Sequence, residues 1–328
     1  MKYIFLVNPV SGGGKNLRLI DDIRSEFSSI GRGSSLEIVY TSKRGEAQRL
    51  SAGFADIYGK NCMIVCCGGD GTIHECANGL VHTDTPMAVL PFGSGNDFAS
   101  KLYGKKPSAY KAAEELGFIG GLPRFFIRHI DLGRVTANGS TFCFIGIMSL
   151  GFDTRVEILA DKISRKIPKA ASMAYTLGLM GGLFGEKTYC INARLDVKEK
   201  NGDIRPIKRR MAYTLMAVCN SSYYGGGFCP APNAKLNDGI FEFLVAAPCN
   251  LVEICNLAPM YKMGVADISP KINLTSIVGG SFFSSDGNTF VLNCDGENTV
   301  TQRADFSVEH KVLKLCVPIL SEGVKAFR

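Results

Sequence analysis

Tryptophan is absent from this 328-residue chain, histidine occurs four times, and no run of about 20 uninterrupted apolar residues is present. The missing apolar run excludes a membrane-spanning helix. The apolar opening, MKYIFLVNPV, meets Asn8, Pro9 and a glycine run too soon for a signal peptide. The 12 cysteines lack short, regular spacings and histidine is scarce, which argues against structural zinc. Cys62, Cys66, Cys67, Cys143, Cys190, Cys219 and Cys316 fall in apolar, strand-like text, so buried free thiols in a reducing compartment are expected. The expectation is a soluble, cytoplasmic protein. Its 37 Lys plus Arg against 30 Asp plus Glu give +7, spread too evenly to mark a nucleic-acid partner.

Glycine is what the chain has in excess. An average frequency near 7% predicts roughly 23, and there are 37, so tight turns or ligand cradles must account for the rest. With 46% hydrophobic residues the chain can bury one large core or two modest ones, which excludes a long disordered tail or a fibrous repeat.

The first third alternates apolar runs with amphipathic text. YIFLVN at 3–8, a helix near 16–29, LEIVYT at 36–41, a helix near 45–58, CMIVCCGGD at 62–70 and PMAVLPFG at 86–93 predict a parallel sheet covered by helices. In such folds ligands collect at the carboxyl ends of the strands. There the chain places NPVSGGGKN, then Thr41 and Ser42, then GGDGT, then FGSGND. Past a boundary near 124–130 the text turns to antiparallel strands with Asn138-Gly139 and Asn201-Gly202 turns, broken by helices near 155–183 and 249–263.

GGDGTIHECANGL at 68–80 empties a buried strand into a glycine turn and then a helix, and Thr72 with Glu75 fits a capping box. It reads either as a helix start needing no ligand or as a phosphate cradle, with Gly68, Gly69 and Gly71 freeing the chain and Asp70 orienting water or a metal. It is not a dinucleotide fingerprint, since His74 holds the third glycine position. Gly12–Gly14 with Lys15 fails as a Walker loop, because Asn16 follows where Ser or Thr is needed; Lys15 remains a point charge for phosphate. In PFGSGNDFA at 91–99, Gly93, Ser94, Gly95, Asn96 and Asp97 together exceed what a plain helix cap requires.

With NPVSGGGK, GGDGTIHECANGL and PFGSGNDFA in that order, followed by LGFDTRV at 150–156, YYGGGFCPAPNAKLNDGIFEF at 223–243 and DGE at 295–297, the chain resembles the bacterial diacylglycerol kinase-like lipid kinases, relatives of the sphingosine and ceramide kinases. The resemblance implies an α/β N-terminal domain of the NAD kinase and phosphofructokinase type and a C-terminal β-sandwich, with the active-site cleft between them. Residues 1–127 and 306–328 would form the first and 128–305 the second. It also implies ATP as donor, with Asn8, Lys15, Thr41, Gly68, Gly69, Asp70, Gly71, Thr72, Glu75, Gly93, Ser94 and Asn96 as nucleotide contacts. Glu297 would be the general base, aided by Asp295, with Asp97 and Asp70 reaching the Mg2+ of the nucleotide.

Asp238, with the carbonyls of Lys235 and Ile240, matches a structural Mg2+ position in some relatives; an Asp-Gly turn joining two strands explains it equally well. Asp153 matches an acceptor-side acid, and a helix cap explains it as well. The expected reaction is ATP-dependent phosphorylation of a lipid hydroxyl, diacylglycerol first. A sphingoid base, a soluble NAD or sugar acceptor, and an inactive nucleotide- or lipid-binding regulator are the alternatives. The expected partner is a lipid acceptor at the inner membrane face, reached by peripheral, reversible contact, and a homodimer is left open. ASMAYTLGLMGGLFG at 171–185 would suit an apolar wall or plain core, and Lys162, Arg165, Lys166, Lys169, Lys208, Arg209 and Arg210 suit anionic headgroups or a solvated face.

Overall fold

The computed structural model describes residues 1–167, 174–183, 185–284, 287–319 and 327. They divide into two compact units, 1–131 with 310–328 and 132–309. In the first unit β1 (Lys2–Val7), β2 (Leu36–Tyr40), β3 (Cys62–Gly68) and β4 (Met87–Pro91) run parallel in the order β2-β1-β3-β4. Every residue of β3 and β4 is buried, as strands covered on both faces require. The covering helices are α1 (Leu17–Ser29), α2 (Glu46–Tyr58), α3 (Asp70–Leu80), α4 (Asp97–Tyr103) and α5 (Ala109–Leu116). Tyr3 and Phe5 of β1 meet Phe27 of α1 and Phe118 edge-on, with ring centroids 5.3 Å apart for Tyr3–Phe27 and for Phe5–Phe118.

The second unit contains, in chain order, β5 (Phe125–Ala137), which begins in the first unit, β6 (Ser140–Phe144), β7 (Ile147–Gly151), α6 (Phe152–Lys166), α7 (Ala174–Gly182), β8 (Tyr189–Lys198), β9 (Ile204–Tyr213), β10 (Leu215–Cys219), β11 (Phe241–Ala246), α8 (Leu251–Met263), β12 (Ile272–Phe283), β13 (Phe290–Cys294), β14 (Glu297–Thr301) and β15 (Arg303–Pro318). Its pairings are antiparallel, along β14-β13-β7-β10-β11-β12-β8-β9 and in the β5–β6 hairpin. Phe144, Phe241, Phe243, Phe282 and Phe306 fill its core together with Met216 and Val218 of β10. The alternate residues Ala217 and Cys219 turn to the opposite face, where Tyr224, Phe228 and Tyr261 cover them. From His310 onward β15 belongs to the first unit, where Leu315 pairs parallel with Met87 of β4.

Several local expectations change. Glu75 does not close a capping box with Thr72; α3 begins at Asp70 after Gly69, with no side-chain cap. Glu75 turns away and accepts hydrogen bonds from the backbone N–H groups of Gly45 (2.7 Å) and Ala47 (3.1 Å), where α2 begins. A capping box is formed instead at α8, between Asn250 and Glu253. Asp295-Gly296, at φ +51° and +91°, makes the tight turn between β13 and β14, whereas Asp238-Gly239 also lies between two paired strands, β10 and β11. It ends a connection of 21 residues, 220–240, rather than a tight hairpin, as the Asp-Gly turn before β11. The expected helix at 155–183 is α6 and α7, with 168–173 outside the described residues; Lys169 and part of the apolar text at 171–185 fall there too. Ten of the 12 cysteines are buried, but Cys190 is exposed because the alternation of β8 turns it outward, opposite Ala212.

Candidate functional site

In the first unit the loops after β1, β3 and β4 touch through glycine backbones. A Cβ on Gly12, held at φ +58°, would lie 2.2 Å from the Phe92 carbonyl oxygen, and one on Gly93 would lie 2.5 Å from the Gly69 Cα. Only residues without side chains allow these approaches. A Cβ on Gly69 would also meet Ser11 Oγ at 3.4 Å, which places the third loop at the same point. Asn8 donates from Nδ2 to Thr72 Oγ1 (3.2 Å), and its backbone N–H reaches the Cys67 carbonyl (2.9 Å). Asn96, at φ +55° before α4, donates from Nδ2 to the Gly93 carbonyl (2.7 Å).

Two carboxylates border this junction. Asp70 Oδ1 accepts from the Phe98 N–H at the start of α4 (3.1 Å), while its Oδ2 lies 3.1 Å from an ideal Cβ position on Gly95 and Asp97 Oδ2 lies 3.6 Å from it. Gly95 and Ser94 are exposed and nothing lies within 4 Å of a Cβ on Gly71, so the N-terminal ends of α3 and α4 open to solvent beside backbone and acid. Helix N-termini with free glycine amides bind phosphate, and two oxygen donors suit a hard divalent cation. Lys15 is exposed on the first loop. Thr41 is buried, with its Oγ1 3.4 Å from the Val7 carbonyl. Glu75 serves the start of α2 rather than the junction itself.

In the second unit Asp295 is an anchor. Its carboxylate accepts from the N–H groups of Ile145 (2.8 Å), Gly146 (2.9 Å) and Ile147 (3.0 Å), and its own N–H reaches the Ile147 carbonyl. Asn220 tightens the same segment: its Nδ2 donates to the Ile145 carbonyl (2.8 Å) and its N–H to the Gly146 carbonyl (3.0 Å). Glu297, half-buried, opens β14 opposite Cys294. Asn293 Oδ1 accepts from the Gly296 N–H (3.0 Å) and fixes the turn between them. The motif reading missed Asn220, Ser221, Ser149 and Asn293, all buried polar residues at or near the ends of β7, β10 and β13. For Asn220 and Ser221 the signal was a polar cluster, NSS, directly after the apolar MAVC.

Asp153 lies in the first turn of α6 and is 1% exposed. Burial, then the charge of Asp153, pushes the Tyr261 phenol up from its ordinary range. Both residues line a cavity of about 70 Å³ with Phe152, Val156, Leu257 and Ile254, and Asp153 is its one charged member. At Asp238, Oδ1 accepts from the Ile240 N–H (3.3 Å), which closes a short turn. One carboxylate with backbone oxygens fits a magnesium ion that keeps most of its water. No group of three or more His, Cys, Asp or Glu able to hold a metal occurs among the described residues.

Residues 2–123 match the diacylglycerol kinase catalytic domain and 146–317 the YegS C-terminal NAD kinase beta sandwich-like domain. The chain is 31% identical over 204 residues to the diacylglycerol kinase of Bacillus subtilis (strain 168), covering 62% of this chain and 60% of that protein. It is 27% identical over 303 residues to a protein of Stenotrophomonas maltophilia (strain K279a) named probable lipid kinase YegS-like, covering 88% of this chain and 86% of that one. The crystal structure of a diacylglycerol kinase from Bacillus anthracis str. Sterne superposes with a TM-score of 0.62 over 96% of both chains, at 17% identity. A second structure from the same organism reaches a TM-score of 0.68 at 21% identity. The two matched domains span the parallel α/β unit with its glycine junction and the β-rich unit with its Asp295 anchor, and on that ground the chain belongs to the bacterial diacylglycerol kinase-like lipid kinase family.

Proposed function

We propose that the chain is an ATP-dependent kinase that phosphorylates a lipid hydroxyl, with diacylglycerol as acceptor and phosphatidic acid as product. The observation that carries this reading is the glycine junction, where Gly12, Gly69 and Gly93 meet and the Asp70 and Asp97 carboxylates flank Gly95. Backbone amides of the 69–72 and 93–97 turns bind the polyphosphate, whose charge the helix starts favour. Asp70 and Asp97 are the residues that would hold the magnesium of the nucleotide, which would supply charge neutralisation for phosphoryl transfer. Asn8 and Thr72, bonded to each other, hold the first and third loops in register.

In the reaction the acceptor oxygen bonds to the γ-phosphorus as the bridging oxygen departs with ADP, and Glu297 takes the hydroxyl proton. Asp295 is spent on three backbone N–H groups, so its part is to set the turn that carries Glu297. The apolar cavity beside Asp153 suits the hydrocarbon next to a reacting hydroxyl. The test is a bacterial lipid extract incubated with labelled ATP and magnesium, beside Glu297→Gln. The wild type is expected to label a diacylglycerol-derived lipid, and the variant to lose 10²- to 10⁴-fold in rate, the usual share of a general base. Label entering only water-soluble acceptors overturns the lipid reading, and undiminished turnover in Glu297→Gln removes Glu297 from its role.

A further inference from the structure

The β8–β9 hairpin carries charge in a pattern that the fold does not use. Ile191, Ala193 and Leu195 of β8 and Ile207, Met211 and Tyr213 of β9 face the core. By strand alternation the outward face holds Arg194 and Lys198 on β8, and Lys208 and Arg210 on β9. All four are exposed; Asp196 is the carboxylate that the hairpin itself puts on their face, and Asp305, two strands away in the row of Arg194, is held by Arg303. Lys208 stands directly opposite Arg194, an arrangement in which like charges repel and the sheet loses stability. Neighbouring cations behave differently: Arg205 pairs with Glu199 at 2.7 Å beside the hairpin turn, and Arg303 pairs with Asp305 on β15. The same face ends in Ile204, 54% exposed, and Pro206, also exposed.

We propose that the outward face of the β8–β9 hairpin docks the protein on an anionic phospholipid bilayer; the choice of a membrane rests on the lipid-kinase reading above. A pleated ribbon presents its cations in one plane, matching a charged bilayer surface, and an exposed isoleucine beside them enters the interfacial layer. Single-stranded nucleic acid fits less well, because the outward positions of both strands, Cys190 to Lys198 and Ile204 to Ala212, include no aromatic ring for base stacking. The repulsion between Lys208 and Arg194 is relieved when phosphate headgroups lie over both.

The experiment is sedimentation of the full chain with vesicles of equal parts phosphatidylglycerol and phosphatidylcholine, against phosphatidylcholine alone. Wild type is expected to bind the anionic vesicles and to be released by salt. Arg194→Gln, Lys208→Gln and Arg210→Gln together are expected to weaken partition about 100-fold, at roughly fivefold per cation near an anionic surface. The charge-keeping swap Arg194→Lys, Lys208→Arg, Arg210→Lys is expected to bind like wild type, which separates lost charge from lost fold. Equal partition of the triple glutamine variant and wild type overturns the proposal, as does tighter wild-type binding to single-stranded RNA than to vesicles at the same salt. The triple glutamine variant is also assayed on short-chain diacylglycerol in non-ionic micelles, where it is expected to turn over like wild type. Absence of turnover in both proteins there overturns the kinase reading, while the vesicle result decides the docking face.

Discussion

Gly93 shows how much one missing side chain can carry. An alanine there would drive its Cβ to 2.5 Å from the Gly69 Cα, which is backbone and cannot rotate away. Gly93→Ala is therefore expected to cost about 1–3 kcal/mol and to weaken ATP binding at least tenfold, read by urea midpoint and by calorimetry. Gly71→Ala is the contrasting case, because nothing lies within 4 Å of its Cβ position. It should leave the midpoint unchanged yet still weaken ATP binding, since its methyl enters the space given to phosphate. Glu242 supplies a pH signature of another kind. Burial pushes its carboxyl above the ordinary value, opposed by the Ser276 hydroxyl at 3.3 Å and reinforced by Asp238. The folded state then favours the protonated form, so this stability is full below the unfolded pKa of about 4.3 and is lost as pH rises through the folded value. Glu242→Gln should accordingly flatten that slope and exceed wild type in stability at pH 8, as urea midpoints across pH will show.

The helices and strands were legible where period and punctuation agreed. The Asn138-Gly139 turn does join β5 to β6, with both residues at positive φ, and the strand-helix alternation of the first third is observed. The Thr72–Glu75 box failed because Glu75 found a better use thirty residues earlier in the chain, capping the start of α2 with two backbone bonds. Local spacing cannot anticipate a partner supplied by a neighbouring element. Glu75→Ala is expected to lower stability by about 1–3 kcal/mol, the cost of leaving such donors unmet, and to leave the KM for ATP within about twofold. A large rise in KM with unchanged stability would return Glu75 to the nucleotide.

At the scale of the molecule the chain leaves its first unit within β5, at residues 131 and 132, and returns within β15, at 309 and 310. Asp131, fully buried, holds the returning strand by accepting from the Lys311 N–H at 2.8 Å, with His310 Nδ1 2.9 Å away. No helix among the described residues is long and apolar enough to cross a membrane. Because the proposed nucleotide contacts are all made by the first unit, ATP with magnesium should stabilise that unit by linkage, by about 2.7 kcal/mol at a hundredfold excess over Kd, and so raise its melting temperature. Thermal melts of wild type and Gly93→Ala with and without the nucleotide check this, and a rise of equal size in both would move the site away from the glycine junction.

From sequence alone came the family resemblance, the parallel α/β start, the antiparallel remainder and the glycine loops, because strand period, turn chemistry and loop composition are local properties. Tertiary structure alone decided which glycines touch, that Asp295 is consumed by the 145–147 backbone, and that Asn220, Ser149 and Asn293 are buried. It also turned Lys208 toward Arg194 on one outward face. Each of these depends on a register or an approach between segments far apart in the chain, and spacing along the chain does not encode such distances.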